Sequence, residues 1–290
     1  KSATMEKTKS SNAICYVGFG DLYIAQALLS ISSLRKYDKN TKIILITNKN
    51  INLELIEFWD NKRDRILVFS ESHSKNRNYK TNIDKYVDAE KVAYIDSDTI
   101  ILSEFSIAWD FLDFFDVCFK FNPVKQKKPG KGDVYILDKK YKVQQLPHFN
   151  GGIFFFRKSK VTNDFFRKWN ESFNYHESPY DQISLNESLF KSKVRILPLT
   201  YEWNYFPDLN FYRGKIKKPI IFHYTNRISF LLEKELLKIA DLTGLNKKNI
   251  KDRIIKRRKE RRKKIGRFEW LKMLSLWIIM YKSERKRLNL

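Results

Sequence analysis

Through the first hundred residues, short apolar runs alternate with segments of helical periodicity, and that rhythm leaves few folds open. Ala13–Val17, Lys42–Thr47, Arg65–Phe69 and Val92–Ile95 read as strands, while Tyr23–Lys36, Leu53–Trp59 and Tyr79–Tyr86 repeat apolar residues at helical spacing. Strands alternating with helices predict an α/β fold with a mostly parallel central sheet covered on both faces, since parallel neighbours need crossovers that lie on the sheet. After residue 100 the rhythm changes. Short strands are expected at Asp116–Phe121 and Gly152–Phe156, separated by a Lys- and Gly-rich stretch over 122–146 that reads as a long functional loop. Helices follow at Asp164–Phe173 and Asp181–Phe190, then strands at Val194–Leu197 and Pro219–His223. A chain of 290 residues fits one main domain with an appendage, and no internal repeat divides it.

The run Lys91-Val92-Ala93-Tyr94-Ile95-Asp96-Ser97-Asp98 delivers two carboxylates one residue apart at a strand end. Aspartates are poor strand formers, so their place there points to cargo. Oxygen ligands favour Mg²⁺ or Mn²⁺, and ligands of open α/β sheets bind at strand ends. The alternative is a turn in which Asp96 and Asp98 cap the following segment. Four further clusters bear on that choice. Asn150-Gly151-Gly152 opens a buried strand, where paired glycines permit close approach by a ligand or form a tight turn. Asp181-Gln182 stands at a helix start, where the aspartate is a ligand or an N-cap. Glu202-Trp203-Asn204 follows Pro198, and His223 closes the strand Ile220-Ile221-Phe222.

In this order the motifs resemble the glycosyltransferases of the GT-A fold, and within them family 8, the group of lipopolysaccharide galactosyl- and glucosyltransferases and glycogenin. The resemblance runs from Ile14 to about Asn226. It implies a Rossmann-like GT-A domain, a nucleotide-sugar donor, uridine diphosphate by default, and a glycan or lipid-linked saccharide acceptor. It also implies a divalent cofactor, Mn²⁺ or Mg²⁺, held by Asp96, Asp98 and His223. By the same resemblance Gly18, Phe19 and Asp21 form the nucleotide-base pocket, with Ser97 beside the nucleotide, and Lys80 reaches the diphosphate or donor sugar. Asn150, Asp181, Gly151 and Gly152 read the donor hydroxyls, Asn204 either contacts the substrate or packs in its loop, and Gln182 lies near the anomeric carbon. Asp181 and Gln182 are thereby the expected catalytic pair, in a retaining reaction without a covalent nucleophile. The pattern departs from the family at three places. Gly20 replaces the first of two acidic residues, Ile183 replaces the last residue of Asp-Gln-Asp, and Tyr224-Thr225-Asn226-Arg227 replaces the Gly and Lys-Pro-Trp series after His223. The family's diphosphate contact thus has no counterpart at that place, and Arg227 is the candidate for it.

Charge is concentrated at one end. Of a net +24, Lys247–Lys264 contributes +10, twelve basic residues against Asp252 and Glu260, and 267–290 a further +4. The expected division is a catalytic domain over 1–240 and a basic, amphipathic helical tail over 241–290. The apolar run between Phe268 and Tyr281 is too short to span a bilayer, for which about 20 residues are needed. It suits a helix lying on an anionic membrane surface, or one packed on the catalytic body. No secretory signal is expected, and Cys15 and Cys118, each amid apolar neighbours, suggest buried thiols. The expected place is the cytoplasm, peripheral on the inner membrane face. Two rival functions remain. A sugar-1-phosphate nucleotidyltransferase would need an Arg-containing glycine-rich loop that Gly18-Phe19-Gly20-Asp21 lacks. A nucleic-acid-binding protein would need more than a basic run, and no aromatic-interleaved platform accompanies it.

Overall fold

In the computed structural model the described residues are 11–72, 76–122, 148–176, 181–206, 219–224 and 229–265. Seven strands form one sheet: β1 (Asn12–Gly18), β2 (Lys42–Thr47), β3 (Arg65–Val68), β4 (Lys91–Ile95), β6 (Val117–Asn122), β7 (His148–Arg157) and β8 (Ile196–Leu199), in the order β3-β2-β1-β4-β7-β6-β8. β1, β2, β3 and β4 are parallel, as are β6 and β8, and β7 runs antiparallel between β4 and β6. A separate antiparallel pair joins β5 (Thr99–Ile101) to β9 (Ile221–His223).

Both faces of the sheet centre are buried because the runs Ala13–Val17, Ile43–Ile46 and Val92–Ile95 are apolar at every position rather than at alternate ones. Along β1, Ile14 and Tyr16 pack into one core, while Ala13, Cys15 and Val17 pack into the other. The first core is covered by helices α1 (Asp21–Leu34), α3 (Ile107–Phe114), α6 (Glu233–Thr243) and the start of α7 (Lys247–Ile265). The second is filled by Phe and Trp from β7 and α4 (Lys160–His176), including Phe154, Phe156, Phe165, Phe166 and Trp169. Helix α2 (Asn76–Thr81) and helix α5 (Gln182–Lys191) complete that face. Cys15 and Cys118 are buried free thiols.

Two expected helices differ. Leu53–Trp59 forms successive turns, Ile56 N–H to Leu53 and Trp59 N–H to Ile56, and no helix. Its buried Leu53, Ile56 and Trp59 recur every three residues, a spacing that turns satisfy as well, and seven residues are too few to propagate a helix. The segment Tyr79–Tyr86 is interrupted at Asn82, where the side chain returns to the Asn78 carbonyl at 3.1 Å and competes with the helical ladder. A 3₁₀ turn, Ile83–Lys85, follows it. Strand β7 begins at His148 rather than Gly152, so the glycine pair lies inside the strand, where a β-bulge shifts the β6–β7 register between Phe119 and Lys120. The expected loop over 122–146, apart from Asn122, and the apolar run Phe268–Tyr281 lie outside the described residues.

The first half of the basic extension is part of the packed body. Ile250 and Ile254 of α7 are buried in the first core, and Asn249 Nδ2 donates to Asp21 at the start of α1 at 2.9 Å. Among the described residues, no helix is long and apolar enough to cross a membrane.

Candidate active site

β4 leads directly into the aspartates. Ile95 is its last residue, and the Asp96 N–H donates to the Gly152 carbonyl at 2.8 Å, anchoring the segment to β7. Tyr94, two residues earlier and therefore on the same face of the strand, donates its hydroxyl to Asp96 Oδ1 at 2.7 Å. The β5–β9 pairing, which the sequence did not foretell, delivers the expected histidine. Its register sets Thr99 opposite His223, which puts the imidazole one residue from Asp98. The result is a cluster in which ligand atoms of Asp96, Asp98 and His223 all lie within 4.8 Å of one another. His223 Nε2 is 3.0 Å from Asp98 Oδ1 and 4.0 Å from Asp96 Oδ2.

The donor logic around His223 is fixed by a main-chain group. The Gly152 N–H can only donate, and it points at Asn150 Oδ1 at 2.8 Å. The Asn204 group facing that oxygen, also at 2.8 Å, is therefore its amide nitrogen. Asn204 Oδ1 is left to accept from His223 Nδ1 at 3.0 Å. That contact places a proton on Nδ1 and leaves the neutral ring's Nε2 lone pair facing a carboxylate oxygen. Two acceptors 3.0 Å apart need a proton or a cation between them. An imidazole nitrogen and two carboxylates, with the histidine oriented by a second hydrogen bond, suit a divalent ion.

Electrostatics divides the acids. Burial alone would raise the Asp98 carboxyl, but when a proton rather than a metal ion sits on Nε2 the imidazole is a cation and holds that carboxyl below the ordinary range, whereas burial pushes Asp96 up. Lys80 Nζ lies 2.8 Å from Asp181 and 3.3 Å from Asp96. Burial would lower its pKa, yet the two carboxylates outweigh that and raise it. Burial likewise works against ionisation of Asp181, and Lys80 and Arg77 overcome it. These groups surround a cavity of about 310 Å³ lined by Val17, Tyr23, Asn76, Arg77, Lys80, Tyr94, Asp96, Ser97, Asp98, Asp181, His223 and Arg257.

The other expected residues fall in three places. Gly151 lies under Lys80, whose Nζ would be 3.6 Å from any Cβ there, and Gly152 lies under His223. Asn204 is fully buried, so it reaches the site through His223, and the Asn150 carboxamide oxygen is occupied by Gly152 and Asn204. Gln182 donates its amide to the Phe149 carbonyl. Gly18 ends β1 where the Tyr23 carbonyl comes within 2.9 Å of a Cβ position, Phe19 is buried against Tyr79, and Asp21 is saturated by Lys49, Asn249 and the Asn246 N–H. Phe19 and Asp21 line an adjoining cavity of about 380 Å³ with Tyr23, Asn249, Arg253 and Lys256. Arg227 lies outside the described residues. Sequence reasoning missed Arg77, Tyr94 and Arg257. Arg77 precedes Lys80 by three residues on one helix and Tyr94 precedes Asp96 by two on one strand, so both carried a signal. Arg257 carried none within its basic run.

The family described as nucleotide-diphospho-sugar transferase matches residues 93–229, just under half of the chain, and that span contains the whole Asp96, Asp98 and His223 cluster. No curated protein matches in sequence. Among solved structures, the galactosyltransferase LgtC in complex with donor and acceptor sugar analogues aligns with a TM-score of 0.57 at 14% identity, over 83% of this chain and 99% of that one. The bifunctional glycosyltransferase WbbM aligns at 0.56 and 16% identity, over 83% of this chain and 53% of its own. The glycosyltransferase GlyE of Streptococcus pneumoniae TIGR4 aligns at 0.53 and 18% identity, over 74% of this chain and 55% of its own. The chain thus spans about half the length of the latter two and nearly all of LgtC. The fold is that of the GT-A glycosyltransferases, in agreement with the motifs.

Proposed function

From a chain with the GT-A fold whose residues 93–229 match the nucleotide-diphospho-sugar transferases, we infer a metal-dependent glycosyltransferase of the family 8 type. It moves a hexose from a nucleotide sugar, with uridine diphosphate the default carrier, to a glycan or lipid-linked saccharide, with retention of configuration. The observation that carries this reading is the convergence of Asp96, Asp98 and His223, separated by 125 residues of chain, within 4.8 Å.

Asp98 and His223 would hold a divalent ion, Mn²⁺ or Mg²⁺, with Asp96 shared between the ion and the nucleotide. The bound ion supplies Lewis-acid stabilisation of the charge that develops on a departing diphosphate. Tyr94 and Lys80 orient Asp96, and Asn204 holds the His223 ring with Nε2 unprotonated. Asp181, ionised beside Lys80 and Arg77, is placed to accept hydrogen bonds from the donor sugar. A site built to bond hydroxyls discriminates strongly against analogues that lack them. Gln182, at the first turn of α5 next to Asp181, would by the family resemblance lie near the sugar's anomeric carbon. No side chain is assigned as a covalent nucleophile. The domain over 1–240 supplies the metal-binding and sugar-facing residues, and the start of the basic extension packs against it. The basic extension, 241–290, attaches the enzyme to anionic lipid at the inner face of the membrane, close to a lipid-linked acceptor.

The test is a panel of nucleotide sugars with Mn²⁺, read by hydrolysis and by shift in melting temperature. One donor is expected to be hydrolysed and to stabilise the protein, and Asp98→Asn is expected to abolish turnover while leaving the unliganded melting temperature near wild type. Full activity in excess chelator would contradict the metal role.

A further inference from the structure

Helix α7 looks in sequence like a solvated basic run, but one stripe of it faces the body. Ile250, Arg253, Ile254 and Arg257 follow the i, i+3, i+4, i+7 spacing of a single helix face. The two isoleucines are buried in the core, whereas Lys251, Lys256, Arg258 and Lys259 are exposed. The stripe's far end reaches the catalytic cavity. Arg257 lines it together with Lys80, Asp96, Asp98 and His223, and donates to the Tyr23 hydroxyl at 3.1 Å. Tyr23 borders both cavities, and the Arg253 guanidinium lies 5.8 Å from its ring centroid.

A charge count shows what is missing without Arg257. Among the described residues lining the cavity, three carboxylates, Asp96, Asp98 and Asp181, face two cations besides Arg257, namely Lys80 and Arg77. A bound divalent ion leaves one positive charge against the two negative charges of a sugar nucleotide's diphosphate. Lys80 is already committed to Asp96 and Asp181, and Arg77 lies 3.7 Å from Asp181. Among the described residues, the carboxylate that Arg257 meets is Glu260, at 3.9 Å and half exposed, and its planar fork matches phosphate oxygens two at a time. We propose that Arg257, delivered by the basic helix α7, is the cationic contact for the donor's diphosphate. It takes the place left by the absent Lys-Pro-Trp series after His223. The proposal rests on the nucleotide-sugar reading above.

Titration calorimetry of the full chain with UDP and Mn²⁺, with inorganic pyrophosphate and Mg²⁺, and with uridine separates the two. Arg257→Gln is expected to weaken UDP and pyrophosphate at least tenfold and uridine less than twofold. Arg257→Lys should fall between it and wild type, and Arg258→Gln, on the exposed face, should match wild type. If Arg257→Gln does not fold, Arg257→Lys carries the test through the same ratio of UDP to uridine affinity. UDP affinity within twofold of wild type in Arg257→Gln, tighter UDP binding, or an equal loss for UDP and uridine overturns the proposal. A wild-type chain that binds neither UDP nor any nucleotide sugar defeats the underlying reading instead.

Discussion

His223 packs so closely on Gly152 that a Cβ there would lie 2.8 Å from its Cε1 and 2.9 Å from Asn150 Oδ1. Neither neighbour can yield cheaply, since the ring is pinned by Asn204 and the Asn150 oxygen by two donors. Gly152→Ala is therefore expected to displace the imidazole and weaken Mn²⁺ binding about ten- to a hundredfold, the usual consequence of losing a ligand's support. Calorimetric titration with Mn²⁺ alone would show it, and unchanged affinity would mean that His223 is not a ligand. Asn204→Ala tests the same chain from its other end, with a similar expected loss. Asp96, Asp98 and His223 could be picked out in the sequence because their residue types are costly at strand ends without a purpose. The work of Asn150 and Asn204 could not, because an amide bonds to whichever partner the fold brings to it. From the chain alone, Asn150 points to the sugar and Asn204 to substrate or loop packing, and neither points to the other or to His223.

Helix α5 carries Asp181 and Gln182 at its start, and its seat is set by buried polar contacts rather than by apolar packing alone. Asn186 bonds both the N–H and the carbonyl of Phe149, tying α5 to β7. Glu187 accepts from Ser172 at 2.6 Å and pairs with His176 and Lys191, tying it to α4. Burial alone would raise the Glu187 carboxyl, but Lys191, Ser172 and His176 bring it from 4.5 down to about 2. A depressed folded-state pKa contributes stability above the unfolded value, and that contribution drains away as pH falls through the folded one. Because Lys191 is itself mostly exposed, the contribution is discounted to on the order of 2 kcal/mol. Glu187→Gln is thus expected to lower the melting temperature by about 5 °C at pH 7. The gap to wild type should narrow between pH 4.5 and 2. A gap that does not depend on pH would assign the loss to packing. The period of the apolar residues made α4 and α5 readable in the chain. It misled at Leu53–Trp59, where turns present the same spacing, and it was silent on β5, whose three residues have no period to show.

How the chain divides depends on where α7 belongs. Its net charge marks it as a tail, and on charge alone a cut after Asn246 should spare the donor site. The packing gives a different expectation. That cut removes Ile250 and Ile254 from the core, at about 1.5–3 kcal/mol each, together with the Asn249 bond to Asp21 and the Arg257 side chain. Against a typical total stability of about 5–15 kcal/mol, such a loss brings a domain close to unfolding. The truncated protein is expected to melt at least 10 °C lower and to lose donor hydrolysis. A cut after Ile265 keeps every one of those contacts and removes the apolar run Phe268–Tyr281 with its flanking charges. It is expected to hydrolyse the donor as wild type does and to sediment less with anionic vesicles. What binding remains should fall steeply with salt, because only the exposed lysines and arginines of α7 are left to attract the surface. Hydrolysis lost by the second cut would place part of the donor site beyond Ile265. Hydrolysis kept by the first would return α7 to the membrane alone and remove Arg257 from the chemistry.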